Sequence, residues 1–112
     1  MPYDARLAAV SVRVRMAAEN VEAASTFLRS RLVFRGRSAL EQAAGNLTQA
    51  AAYAGGAYPA LHDFLGKLAA FYHGEAVSVV RPALAPAVAD RVVGNQGNLL
   101  SADPLLNPSA AA

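Results

Sequence analysis

The side chains best suited to chemistry in this 112-residue chain are two histidines and two carboxylates that lie close together in the sequence. His62, Asp63, His73 and Glu75 are residue types that bind metal ions or transfer protons. The two histidines return to nearly the same face of a helix, but they lie ~16 Å apart along its axis. One metal ion with ligand bonds of ~2.1 Å cannot bridge that distance. The sequence therefore predicts no metal site here, and the four residues are interpreted as a solvated face near a helix end.

Other reactive patterns are also missing from the sequence. The serines lack the Gly-x-Ser-x-Gly elbow of hydrolases, and GNQG at residues 94–97 lacks the Lys-Ser/Thr of a phosphate loop. There is no cysteine for thiol or disulfide chemistry. We therefore predict no catalytic residue and no cofactor, which is typical of a non-enzymatic protein.

The charge distribution limits the classes of partner. Ten basic and eight acidic side chains give a net charge of +2, and the arginines are spread along the chain, so no nucleic-acid partner is predicted. Four of the arginines, at positions 29, 31, 35 and 37, gather around a predicted turn between helices. They fit either simple solubility and helix-end charge complementarity, or contact with an acidic partner or an anionic surface.

The elements that would carry these residues are predicted to be helices. Valines 10, 12 and 14 alternate with polar residues like a short strand. A longer sevenfold series, Leu7, Val14, Val21 and Leu28, overrides that alternation and favours a helix over residues 5–33. Asp4 is a suitable N-cap for this helix.

A second helix is predicted directly after the first. Gly36 is expected to close helix one in a left-handed conformation, and Ser38 with Glu41 forms a capping box that starts helix two. Apolar residues repeat every seven positions from Leu40 to Leu68, which predicts helix two over residues 38–73. Gly55, Gly56 and Pro59 interrupt this series, so the helix is expected to be kinked near 55–59, with a full break as the alternative.

The predicted fold is therefore all-α: a long antiparallel hairpin of two helices over residues 1–75, followed by an irregular tail. The short connection between the helices favours antiparallel neighbours. Residues 76–112 contain several prolines and glycines and are not expected to form an independent domain. The tail carries two apolar pairs that should dock on this chain or another: Leu99, Leu100, Leu105 and Leu106.

Localisation is not determined by the sequence. The N-terminus carries an early acid and no long apolar run, so no conventional signal peptide is predicted. Residues 42–62 lack charged side chains, but their polar residues and Pro59 argue against a membrane span. Secretion without a conventional signal peptide and incorporation into an assembled particle are both compatible with the chain.

A cysteine-free, alanine-rich hairpin of this length resembles the WXG100 (ESAT-6-like) proteins of type VII secretion, over roughly residues 5–75. The Trp-x-Gly triplet of that family corresponds to Phe34-Arg35-Gly36. The family's Tyr-x-x-x-Asp/Glu export signal is matched imperfectly, because Glu75 follows Tyr72 one residue too soon. The resemblance implies a helical hairpin that dimerises into a four-helix bundle and is secreted folded.

The resulting functional expectation is a structural or interaction protein. It would be a WXG100-like secreted or secretion-associated dimer, or alternatively a structural component of a phage virion or other large particle whose neighbours order the tail. Apolar residues outside the main seams, among them Val12, Met16, Phe27 and Leu65, favour a homo-oligomer or a helical protein partner. The candidate interaction residues are Phe34, Arg35, Gly36, Tyr53, Tyr58 and the leucines at 99, 100, 105 and 106.

Overall fold

The computed structural model describes residues 4–111 and confirms that the protein is all-α across that range. The helices are α1 (Ala5–Arg29), α2 (Val33–Ala54), α3 (Pro59–Ser78), α4 (Ala85–Gly94) and α5 (Gln96–Ser101). Single 3₁₀ turns occupy Gly55–Ala57, Pro82–Leu84 and Pro108–Ala111. The predicted two-helix hairpin is not confirmed, because the chain forms a bundle with four arms.

Helix α1 begins and packs as its sequence predicts. The Asp4 side chain accepts a hydrogen bond from the amide of Arg6 at 2.8 Å, which is an N-cap contact. The predicted series is buried, since Val10, Val14 and Val21 have no exposed surface. The alternating valines are helical, so Val12 points outward while its neighbours in the series face the core.

The α1–α2 connection is shorter than predicted, and Gly36 has a different role in it. Helix α1 ends at Arg29, and the left-handed residue that reverses the chain is Arg31, with φ of 60°. Gly36 and Ser38 both lie inside α2, so the predicted helix closure and capping box are wrong. A Cβ placed on Gly36 would lie 2.3 Å from Cδ2 of Leu28, so the glycine is needed for close helix contact.

The predicted second helix is broken rather than kinked. Helix α2 ends at Ala54, Gly55 takes φ of 50°, and Pro59 occupies the first turn of α3. Glycine tolerates this left-handed backbone, and proline suits a helix start because its missing amide would be unpaired there. Helix α3 then runs back along α2, with His73 beside Glu41.

The C-terminal segment is helical, which corrects the expectation of an irregular tail. Helices α4 and α5 pack along α1, and α4 also contacts α3. Ion pairs from Arg29 to Asp90 and from Arg15 to Asp103 show that this segment runs antiparallel to α1. It therefore supplies the fourth arm of an up-down-up-down bundle measuring 49 × 20 × 17 Å.

The core is continuous through all four arms and rich in small side chains. Its largest fully buried residue is Tyr72, surrounded by leucines, valines and alanines from every helix. Leu65, expected to lie off the seam, is completely buried. Of the four apolar residues that favoured association, Leu65 is therefore covered within the chain, whereas Val12 and Met16 remain exposed and Phe27 is partly buried.

Candidate interaction surfaces

Three of the four residues that could do chemistry make separate structural contacts, and the fourth, Asp63, is exposed. Nδ1 of His62 lies 2.7 Å from the carbonyl oxygen of Ala51 and donates to it, which satisfies one of the last carbonyls of α2. His73 contacts Glu41 at 3.1 Å, and Glu75 pairs with Arg91. Within residues 4–111, no group of three or more His, Cys, Asp or Glu side chains could hold a metal ion.

An open groove of about 440 Å³ lies between α3 and the α4–α5 arm. Phe64 and Phe71 form its apolar part, and Lys67 with Asn95 and Asn98 supplies its polar rim. The deeper Tyr72 is buried, and this burial raises the pKa of Tyr72 to about 12. The Asn95 side chain near its hydroxyl opposes this rise, although the contact falls outside hydrogen-bond geometry. Tyr72 is therefore a core side chain.

The candidate triplet Phe34-Arg35-Gly36 divides between the surface and the core. Phe34 is 85% exposed, whereas Gly36 is buried against Leu28. The Arg35 guanidinium lies over the Phe27 ring, 6.0 Å from its centroid, in a cation–π contact. Only the first two residues of the triplet are therefore accessible to a partner.

Phe34 belongs to a larger exposed set at one end of the bundle, which we call the basic end. The α1–α2 turn and the α3–α4 connection meet there, because α2 and α3 are antiparallel with His73 level with Glu41. The apolar members are exposed, and no acidic residue lies in either segment. The basic end comprises Leu32, Phe34, Val77 and Val80 together with Arg31, Arg35, Arg37 and Arg81.

A second exposed apolar set lies on the outer side of α1, and we call it the α1 face. It consists of Val12, Met16, Ala23 and Phe27, spaced so that they share one side of the helix. Phe27 is partly buried, and the other three are exposed. The sequence identified Val12, Met16 and Phe27 as lying off the core seam, which the exposure of Val12 and Met16 agrees with, whereas Phe27 packs partly against the core.

The two tyrosine candidates behave differently. Tyr53 is exposed on α2, next to Asp4 and Arg6 in a shallow depression. Tyr58 is half-buried, and its hydroxyl donates a hydrogen bond to the Asp4 carboxylate. This contact lowers the pKa of Asp4 and raises that of Tyr58. Tyr58 therefore joins the α2–α3 connection to the start of α1, while Tyr53 stays accessible.

The four leucines of the tail differ in their exposure. Leu99 is completely buried in the core, and Leu100 is 41% exposed. Leu105 and Leu106 are both exposed, although only Pro104 separates them from the buried Asp103. Of the four leucines, only Leu99 docks within the chain, and the other three are accessible.

Asp103 anchors the tail and was not identified from the sequence. Its carboxylate accepts a hydrogen bond from Arg15 Nε at 3.1 Å and others from the amides of Leu105 and Leu106. Burial alone would raise the pKa of Asp103, but these contacts and one from the Ser11 hydroxyl outweigh it and lower the pKa. The only sequence feature that marks Asp103 is its position before Pro104. That feature does not show that Asp103 contacts Ser11 and Arg15 on a distant helix.

Replacing Asp103 by asparagine is expected to lower the free energy of unfolding by about 1–2 kcal/mol at neutral pH, because charge-assisted hydrogen bonds are lost. A lowered folded pKa stabilises the protein above the unfolded pKa of ~3.9, and this contribution is lost as pH falls through the folded value. The difference between wild type and Asp103→Asn should therefore shrink below about pH 4. Urea denaturation of both proteins across pH 3–7 measures this difference in the free energy of unfolding.

Exposed Asp63 provides the matched control for this measurement. Asp63→Asn should leave stability nearly unchanged at every pH, because surface substitutions usually shift it by less than ~0.5 kcal/mol. A difference for Asp103→Asn that does not vary with pH would show that its carboxylate charge is not the stabilising feature.

Comparisons with known proteins identified no relative of this chain. No protein-family model, no curated protein and no solved structure matches the chain. In the part of the chain that the structure describes, no helix is long and apolar enough to cross a membrane.

Proposed function

We propose that this protein is a non-enzymatic helical interaction protein whose first partner is a second copy of itself, bound through the α1 face. The observation that carries the proposal is the exposed part of the α1 face, formed by Val12, Met16 and Ala23 and continued by the partly buried Phe27. Apolar side chains in a row on a helix are typical of helix–helix contacts. The fold itself is complete in one chain, so the expected association is reversible rather than obligate.

The spacing of the α1 face suits an antiparallel two-fold dimer. If the axis passes near Glu19 and Asn20, Met16 lies opposite Ala23 of the second copy, and Val12 lies opposite Phe27. Each of these contacts then occurs twice, once from each copy, as a two-fold interface requires. The Glu19 side chains of the two copies approach each other at the axis, which opposes association through like-charge repulsion.

Substitutions at Met16 and Glu19 test this arrangement by sedimentation velocity over a range of micromolar concentrations. Met16→Glu should weaken the dimer at least about tenfold, equivalent to ~1.4 kcal/mol, because it places charge in the apolar row. Glu19→Gln should strengthen the dimer, because it removes the repulsion at the axis. Both residues are exposed, so neither change should disturb the fold.

Val93→Glu is the matched control, since Val93 is exposed on α4 and lies outside the α1 face. It should leave dimerisation unchanged. A monomer at every concentration, or an equal effect of Met16→Glu and Val93→Glu, would refute the proposed interface.

The biological role of such a dimer stays a prediction from the sequence. A WXG100-like secreted protein and a component of a phage virion or other particle both need a self-associating helical subunit. The resemblance placed Phe34-Arg35-Gly36 in a turn between two helices, whereas these residues lie within α2. Identifying what co-purifies with the native protein would distinguish secretion machinery from particle subunits.

A further inference from the structure

The basic end combines two features that rarely coincide on a protein surface without a ligand for both. Phe34 is 85% exposed, and Val80, at the same end of the bundle, is 68% exposed. Such exposed apolar groups mark a binding surface when they lie together. Among residues 4–111, Arg31, Arg35, Arg37 and Arg81 form no ion pair, so their charges are available to a partner.

The molecule is electrically asymmetric along its long axis. Arg31, Arg35, Arg37 and Arg81 give this end a charge of +4, and the nearby Arg29 is paired with Asp90. The net charge of the whole chain is +2, so the remaining residues together carry −2. A negatively charged surface would therefore attract the basic end and repel the remainder, which orients the 49 Å bundle end-on.

A lipid surface with anionic headgroups satisfies both features together. Guanidinium groups form paired hydrogen bonds with phosphate oxygens, and each basic residue near an anionic leaflet strengthens binding. Between the headgroups, the rings and branched side chains of Phe34, Val77 and Val80 can leave water for the acyl boundary. A nucleic acid would use the arginines but would leave the aliphatic side chains without an apolar environment.

We propose that the basic end binds the surface of an anionic bilayer, with the bundle standing on it. Leu32, Phe34, Val77 and Val80 enter the headgroup region, and the surrounding arginines contact lipid phosphates. Binding is peripheral and salt-sensitive, because its electrostatic part is screened by ions. It does not depend on the α1 face, which lies along the side of the bundle.

Vesicle co-sedimentation with the full chain tests the proposal. Wild type should bind vesicles made of equal parts phosphatidylcholine and phosphatidylglycerol, and should not bind pure phosphatidylcholine vesicles. Arg37→Glu combined with Arg81→Glu should reduce binding by at least about tenfold, because two attractive charges become repulsive. Phe34→Ser keeps the charge and should reduce binding several-fold through the lost apolar contact.

Arg6→Glu combined with Lys67→Glu is the control with the same change in net charge, placed away from the basic end. It should bind within about twofold of wild type if the basic end is the docking site. Circular dichroism and thermal melting of every variant confirm that the fold is retained. Because Phe34 borders Ala23 and Phe27 of the α1 face, sedimentation velocity of each variant separates any change in dimerisation from the change in vesicle binding.

Three outcomes would overturn the proposal. One is failure of the folded wild type to bind the anionic vesicles. Another is equal loss of binding in the two charge-matched double variants, which would show a general charge effect. The third is tight binding to duplex DNA or to an acidic peptide without binding to vesicles, which would assign the basic end to a different partner.

Discussion

Leu99→Ala is expected to lower the free energy of unfolding by about 2–4 kcal/mol, although Leu99 lies in the C-terminal segment that the sequence predicted to be irregular. Its side chain is completely buried in the core shared by α1 and the α4–α5 arm. Truncation would leave a cavity that the surrounding helices fill only in part. Urea denaturation followed by circular dichroism measures the loss.

The neighbouring Leu100→Ala provides the control, because Leu100 belongs to the same short helix but is largely exposed. Its expected cost is below about 1 kcal/mol. Equal effects of the two substitutions, or no effect of either, would mean that the fourth arm is not stably docked. The pair therefore tests the ordered C-terminal segment directly.

Gly36→Ala should destabilise the protein by about 1–3 kcal/mol, even though alanine is the better helix former. The new Cβ would lie 2.3 Å from Cδ2 and 2.6 Å from Cγ of Leu28. Leu28 is completely buried, so its side chain has little room to move away. Accommodation requires α1 and α2 to separate near the turn. Thermal and urea denaturation measure the effect.

Gly45→Ala is the matched control on the same helix, where an added Cβ meets no atom within 4 Å. It should stabilise the protein by up to about 1 kcal/mol through helix propensity alone. Combining Gly36→Ala with Leu28→Ala should give a smaller loss than the sum of the two single losses, because the new methyl group partly fills the cavity. If both glycine substitutions stabilise, the close approach at Gly36 does not exist.

The sevenfold apolar series predicted which residues form the core but could not reveal where the chain reverses. Leu40, Leu47, Leu61 and Leu68 are all buried, as the continuous register predicts. The sevenfold spacing of apolar residues continues unchanged through Gly55 and Pro59, because the apolar faces of α2 and α3 are buried in the same core. Phase continuity therefore cannot distinguish a kinked helix from two antiparallel helices. The glycine pair and the proline were the better signals.

Gly36 illustrates a second limit of sequence reasoning. A glycine between two helical patterns is typical of a helix end, and that interpretation placed the left-handed residue at 36 instead of 31, five positions too late. The competing use of glycine, close contact between helices, depends on Leu28 being directly opposite. Spacing along one chain does not contain that information.

The candidate surfaces were only partly predictable for the same reason. The sequence identified Phe34 and the arginines near the turn, and it placed Val12, Met16 and Phe27 outside the core seam. It could not add Val77, Val80 and Arg81 to the basic end, because that requires α3 to return alongside α2. Their proximity is a product of topology rather than of any local pattern.

The C-terminal segment returns along α1 until Asp103 reaches Ser11 and Arg15, and Asp4 at the start of α1 contacts Tyr58 in the α2–α3 connection. Both ends of the described chain therefore lie toward the half of the bundle remote from the arginine-rich turns. An affinity handle or fluorescent label placed close to Asp4 or Asp103 would therefore lie away from those turns. Immobilising the protein through such a handle would leave the arginine-rich turns accessible to binding partners.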